Sequence, residues 1–187
     1  LSMAPMSISW LIASVVLGRC MVRRGGKTAN LISIVIVLIS TLLLPTLGIQ
    51  SPLIFVLIYV FLMGFGFGGA FTTLTIMVQE SVEYSKRGAA TAANSLVKTL
   101  GETIGISIFG SIFNLSITKF FVARGIPGVD PGNLYKSSAN HPAVTAELTK
   151  LSLNNSLHVL FILFIVVSGL ALILSICMPD RKRNAEP

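Results

Sequence analysis

Five long apolar runs, separated by short polar punctuation, make up most of the chain. They cover about residues 1–21, 29–46, 53–79, 89–118 and 155–178. Crossing a bilayer as a helix takes roughly 20 predominantly apolar residues, so the pattern predicts five spans. The first run contains Pro5 and Gly18 and ends in R-C-M-V-R-R-G-G-K, a basic turn. The second closes on Pro45 and Gly48, and the uncharged link to Pro52 reads as a tight turn. The third holds F-L-M-G-F-G-F-G-G-A-F (Phe61 to Phe71) and gives way to the charged turn Q-E-S-V-E-Y-S-K-R-G (Gln79 to Gly88). The fourth carries Lys98 and Glu102 among glycines and alanines. The fifth is almost purely aliphatic and aromatic, stops at Pro179 and leads into D-R-K-R within a tail of residues 179–187. Residues 119–154 read as a long loop by their Pro, Gly and Asp content. Inside that loop, Val144, Leu148 and Leu151 keep a weak helical period, which predicts an amphipathic lead into the fifth span. The fold class expected is all-α, a multi-spanning transmembrane helix bundle.

Charge placement orients the bundle. Arg19, Arg23, Arg24, Lys27, Lys86, Arg87, Arg181, Lys182 and Arg183 fall at the ends of runs one, three and five, all in short connections. The Pro45–Pro52 turn has no basic residue, and Lys119, Arg124, Lys136 and Lys150 are spread over the long loop. Short basic loops stay cytoplasmic. This predicts a multi-pass protein of the cell membrane with its C-terminus in the cytoplasm.

Runs two and five lack ionisable groups in their interiors and are expected to face lipid. Runs three and four carry the polar residues, Thr72, Asn94, Lys98 and Glu102 among them, and are expected to face protein or water. Gly64 with Gly68, and Gly101 with Gly105, fit the small-xxx-small pattern of close helix packing. Lys98 and Glu102 are four apart and share one helix face. Counted from Ala90, Lys98 lies about 12 Å along the helix. Two readings stand at this point. The pair is structural, mutually neutralised or with Lys98 reaching towards headgroups. Or it handles protons or substrate, with Asn94 and Thr72 beside it on the pathway.

The composition agrees with a membrane protein: 53% hydrophobic, 11% charged, mean hydropathy +0.83, where soluble domains carry about 25% charged residues. The net charge of +7 would suggest nucleic acid on a soluble protein, but its placement in short inter-span turns argues for membrane topology instead. Cys20 and Cys177 sit at the ends of runs without C-x-x-C or Cys/His spacing, so no metal site or disulfide is expected. Gly64-x-Gly66-x-x-Gly69 matches the dinucleotide pattern but lacks a strand before it and an acidic residue about twenty positions on. No cofactor is expected. His141 and His158 are isolated and no nucleophile elbow or zinc motif is present, so no enzyme is expected. The chain starts at Leu1, already in apolar sequence without a signal-peptide pattern, and reads as beginning partway through a longer protein.

The turn Gly18 to Lys27 resembles the loop signature G-x-x-x-D-R-x-G-R-K/R of the major facilitator superfamily. Gly18, Arg23, Gly25 and Lys27 match, Val22 replaces the acidic position and Gly26 the second basic one. The blocks G-F-G-F-G-G-A-F, Q-E-S-V-E-Y-S-K-R-G-A-A-T-A-A-N-S and L-G-E-T-I-G-I-S-I-F-G-S-I-F-N are similar to the last helices of the fourteen-helix drug:proton antiporters of the EmrB/QacA type. The resemblance implies five of the six helices of a C-terminal bundle, with the N-terminal half of the transporter as their missing partner. It implies multidrug efflux: export of amphipathic or cationic drugs in exchange for protons by alternating access. It further implies a cavity-lining third span, a gate at Arg23 and Lys27, and second and fifth spans against lipid. A metabolite exporter of the same superfamily, or an autonomous five-span assembly protein without transport, are the alternatives.

Overall fold

A computed structural model describes residues 4–48, 51–126, 129–133 and 145–178. It is built from five long helices: α1 (Ala4–Arg24), α2 (Gly26–Leu43), α3 (Leu53–Glu80), α4 (Arg87–Val122) and α5 (Ala146–Cys177). All five are long and apolar enough to cross a membrane. The tail from Pro179 onwards, and residues 127–128 and 134–144 of the long loop with His141 among them, lie outside the described residues.

The basic turn after the first span shrinks to one residue. Arg23 and Arg24 close α1, Lys27 lies in the first turn of α2, and only Gly25 stands between. Its φ of 90° and ψ of 159° fall in a region open essentially to glycine alone, so the motif glycine is what lets the chain reverse there. At the other end, Pro45 sits in a short 3₁₀ turn (Leu44–Thr46) that terminates α2, and Pro52 caps α3.

α3 is the hub, packed against α1 and α2 on one side and more lightly against α4. Its buried positions are Gly64, Gly66, Gly68, Gly69 and Thr73. A Cβ on Gly64 would stand 2.7 Å from the Met6 carbonyl oxygen, and one on Gly68 would stand 2.9 Å from the Trp10 backbone. Glycine is therefore required for α1 and α3 to run side by side at this distance. Gly66 does the same against α2, where a Cβ would meet the Val37 backbone nitrogen at 2.9 Å. The Ser9 hydroxyl donates to the Phe61 carbonyl and ties α1 to α3.

α2 carries a second inward face that composition alone concealed. Ala29, Asn30, Ser33, Val37, Ser40 and Thr41 are buried. Asn30 Nδ2 donates to Ser175 Oγ at 2.8 Å, and Thr41 and Ser168 hydroxyls meet at 3.0 Å, both across to α5. The expected lipid face of α2 is thus confined to its other side. Farther along α5, His158 faces a carbonyl oxygen on each ring nitrogen, Asn154 at 2.9 Å and Pro45 at 3.2 Å. These pairings run 30 with 175, 41 with 168 and 45 with 158, so α2 and α5 are antiparallel. By the same logic α1 and α3 are parallel, and Arg23, Arg24, Lys27, Lys86 and Arg87 gather at one end of the bundle.

The helices outrun the expected spans. α4 has 36 residues, about 54 Å at 1.5 Å per residue, against a hydrocarbon core of about 30 Å. Its last turns stop in a glycine-based cap. Gly125 takes φ 75°, and the Ile126 N–H reaches back to the Phe121 carbonyl at 3.1 Å. That is the hydrogen bond of a Schellman motif, with Ile126 as its apolar partner. Ile126 then packs with Phe113, Leu148 and Leu153 around buried Ile117, Phe120, Phe121 and Val129. The result is a small apolar cap at the end opposite the basic turns. α5 begins at Ala146, where the Thr145 hydroxyl accepts from the Leu148 N–H at 3.3 Å. Both ends of the stretch expected as a loop are therefore helical.

Candidate functional site

A cavity of about 1020 Å³ opens between α3, α4 and α5. Sites for drug-sized ligands span about 300–1,000 Å³, so this one is at the upper end. Three features build its wall. From α3 come Phe67 and Phe71, one turn apart, whose rings stack at 6.0 Å between centroids. From α4 come Asn94, Lys98 and Glu102, again at one-turn intervals. From α5 comes Phe164, which meets Phe109 of α4 at 4.7 Å between ring centroids.

The expected glycine pairs part company here. Gly64 and Gly68 lie in the tight α1–α3 contact. Gly101 and Gly105 instead line the cavity, and nothing lies within 4 Å of where their Cβ atoms would stand. Among the described residues they pack against no helix. What they provide in this structure is room, since any larger side chain would protrude into the cavity.

Lys98 and Glu102 are where the polar chemistry concentrates. The Lys98 ammonium lies 3.8 Å from a Glu102 carboxylate oxygen, and the two side chains are 38% and 52% exposed. Both therefore look into the cavity instead of being sealed in a core. A tight charge-assisted pair sits nearer 2.7–2.9 Å, so this one is loose. The same ammonium stands 4.0 Å from the centroid of Phe71 and 5.9 Å from that of Trp10 on α1. Trp10 in turn stacks on Phe71 at 5.4 Å. A Lys cation over aromatic faces at such distances is attracted by the ring quadrupole. The lysine is thus shared between a carboxylate and an aromatic column running Trp10–Phe71–Phe67.

Towards the basic end, hydrogen bonds tie α3 to α4. Asn94 Nδ2 donates to Thr75 Oγ1 at 3.4 Å, and Gln79 Nε2 to Thr91 Oγ1 at 3.0 Å. Thr72, placed on the pathway by the sequence, is half-buried and is not part of the cavity wall; Thr75, one turn on, is. Behind the wall, Thr103, Ser107 and Ser111 each donate to the carbonyl one turn back. Hydroxyls on that side of α4 are satisfied within the helix.

Arg23 and Lys27, with Gly18 and Gly25, lie at the basic end and away from the cavity wall. Among the described residues neither cation forms an ion pair. No cluster of metal-ligating side chains occurs among the described residues.

The aromatic column escaped the sequence reading, which saw the third run as a glycine helix. The signal was present: Phe67 and Phe71 are spaced by four, opposite in emphasis to Gly64 and Gly68 but on the same helix. The partner Trp10 could not have been assigned without the α1–α3 contact.

Comparison with known proteins gives the same direction. Over 128 residues the chain is 26% identical to the multidrug transporter protein MdtP of Bacillus subtilis (strain 168), covering 68% of this chain and 24% of that protein. Over 194 residues it is 24% identical to multidrug resistance protein 3 of the same strain, covering 96% of this chain and 38% of that protein. The multidrug efflux pump SdrM of Staphylococcus aureus (strain N315) is 27% identical over 109 residues, covering 58% of this chain and 24% of that protein. The chain therefore spans between about a quarter and two-fifths of the length of these relatives. No solved structure matches it. The family model of the Major Facilitator Superfamily matches residues 1–106, more than half of the chain; with five helices long and apolar enough to cross a membrane and a solute-sized cavity between three of them, this chain belongs to the Major Facilitator Superfamily.

Proposed function

We propose that this chain forms part of a proton-coupled exporter of amphipathic or cationic compounds that works by alternating access. The single observation that carries the reading is the cavity of about 1020 Å³ walled by phenylalanines, with one loose ion pair on its surface. A mostly apolar site with a few polar groups suits lipophilic ligands. Ionisable groups at membrane depth are costly, at least ~2.5 kcal/mol each on insertion scales. A pair retained there, and left open to the cavity, is better explained by solute or proton handling than by packing. The names of the three relatives support the drug class.

In this reading Glu102 carries the exchanged proton, released to the cytoplasm as substrate binds and replaced from outside as substrate leaves. Asn94 and Lys98 line the route with it. The basic end lies in the cytoplasm, as the excess of Arg and Lys in short turns predicts, and Arg23 and Lys27 form the cytoplasmic gate. Further helices of the same polypeptide, of the kind that make the relatives longer, complete the second wall against which this bundle rocks about a midplane site.

The test is efflux of ethidium from drug-sensitive bacterial cells expressing the complete reading frame. Export is expected, and a protonophore is expected to abolish it. Export that survives collapse of the proton gradient contradicts coupling. A Glu102→Gln variant with an unchanged pH profile removes Glu102 from the proton route. Export of a small metabolite but of no ethidium or related cation would move the protein to a metabolite class.

A further inference from the structure

The wall of the cavity holds one cation already. We propose that the Lys98 ammonium is an internal competitor for the aromatic seat on Phe71, so that a lipophilic cation docks there only when Lys98 swings away towards Glu102. The inference rests on the cavity being a substrate site and adds the residue that sets its preference among cations.

Four distances define the seat. The ammonium is 4.0 Å from the Phe71 centroid, which is contact, and 5.9 Å from Trp10. Trp10 and Phe67 stack on Phe71 at 5.4 and 6.0 Å, so the ring is held from both helices and presents a fixed face. The ammonium is in contact with that ring, and a second cation cannot take the same place. Its distance of 3.8 Å from Glu102 is about 1 Å longer than a tight charge-assisted hydrogen bond. The lysine thus has two stations within a short swing: the ring, where it now sits, and the carboxylate. Among the described residues Glu102 is the one charged group paired with it. Gly101, on the same stretch of α4, leaves open space beside the pair, and with 38% of the side chain exposed nothing locks the lysine in place.

Two consequences follow. A substrate cation that takes the ring pushes Lys98 onto Glu102, so the site stays neutral apart from the charge of the substrate. A compound without positive charge gains nothing from evicting the lysine and must bind elsewhere in the cavity. Cations weaker on the ring than an ammonium are thereby rejected, which makes Lys98 a filter.

The experiment measures equilibrium binding of tetraphenylphosphonium and of its negatively charged isostere tetraphenylborate to the detergent-purified product of the complete reading frame. Lys98→Met is expected to tighten tetraphenylphosphonium binding about tenfold, the scale of one cation–aromatic contact. Lys98→Gln, a second charge-free variant, should do the same. Lys98→Arg keeps both charge and ring contact and should bind like the unmodified protein. In a Phe71→Leu background the seat is gone, and Lys98→Met should change tetraphenylphosphonium binding by only about twofold, the remnant of partly screened repulsion. Tetraphenylborate should weaken on loss of Lys98 by the same factor in both backgrounds. Equal tightening of the phosphonium with and without Phe71 would reduce Lys98 to a repelling charge and overturn the competitor assignment. So would no change in Lys98→Met and Lys98→Gln. If no folded variant binds either ion, the substrate-cavity reading itself falls, and the inference with it.

Discussion

Replacing Gly64 and Gly68 together by alanine probes the contact on which the bundle is assembled. Added Cβ atoms would lie 2.7 Å from the Met6 carbonyl oxygen and 2.9 Å from the Trp10 Cα and carbonyl oxygen, whereas ordinary contact begins at 3.4 Å. The obstacle is backbone on both counts, so no side chain can rotate out of the way. α1 must back off α3 by about 0.7 Å at one level and 0.5 Å at the other. Overpacking of this kind costs about 1–3 kcal/mol per site, and alanine returns up to about 1 kcal/mol per site through helix propensity. The net loss expected is about 2 kcal/mol for the pair. Because Trp10 rides on the moving helix, the Trp10–Phe71 stack should loosen too, and tryptophan fluorescence should change with stability. Gly169→Ala on α5, where a Cβ meets nothing within 4 Å, is the control and should be neutral or slightly stabilising. The assay is thermal unfolding in detergent followed by size-exclusion chromatography. A double variant as stable as the unmodified protein, with unchanged tryptophan emission, would refute the reasoning.

Three other outcomes follow from the same structure. Gly25→Ala forces alanine into φ 90°, ψ 159°, costing roughly 1–3 kcal/mol; thermal unfolding should register it, whereas Gly88→Ala, with open space around it, should not lower stability. A double-mutant cycle on Asn30→Ala and Ser175→Ala should return a coupling of about 0.6 kcal/mol, typical of a hydrogen bond between membrane helices, measured by chemical unfolding in mixed micelles. Phe121→Ala empties a fully buried site in the apolar cap and should cost about 3–5 kcal/mol; protease digestion should then cut near Gly125 faster, since that cap holds the end of α4 to the start of α5.

Much of this architecture was readable from the residues. Run lengths gave five helices because apolar stretches of about twenty residues have no other stable form in a bilayer. Gly64 and Gly68 pointed to close packing, and α1 is what they meet. Gly101 and Gly105 carry the same spacing yet stand beside empty space, because spacing reports that a helix could approach and not whether one does. The polar stripe of α2 was also there to be seen: Asn30, Ser33, Val37, Ser40 and Thr41 recur at three- and four-residue steps. It was masked by a composition free of charge, which hid the fact that Ser, Thr and Asn can face inward as hydrogen-bonding groups. The helical ends of the long stretch after Lys119 were legible in part, from Leu148 and Leu151. The α4 stop was not. Its cap depends on Gly125 adopting φ 75° and on Ile126 finding the Leu148–Leu153 side of α5, a tertiary event. Lys98 and Glu102 were placed on one face by their spacing, but Phe71 and Trp10, which decide where the ammonium sits, come from two other helices.

The most direct test asks whether the space between α3, α4 and α5 is the solute route. Gly105→Cys, in a complete polypeptide whose other cysteines, Cys20 and Cys177 included, are replaced by serine, puts a lone thiol on the cavity wall. A charged, membrane-impermeant methanethiosulfonate reagent should label it from one side of the membrane. Tetraphenylphosphonium should slow the labelling, and the labelled protein should cease to export. A thiol at Gly105 that reacts from neither side, or that reacts without slowing by the cation and without loss of export, would contradict the account.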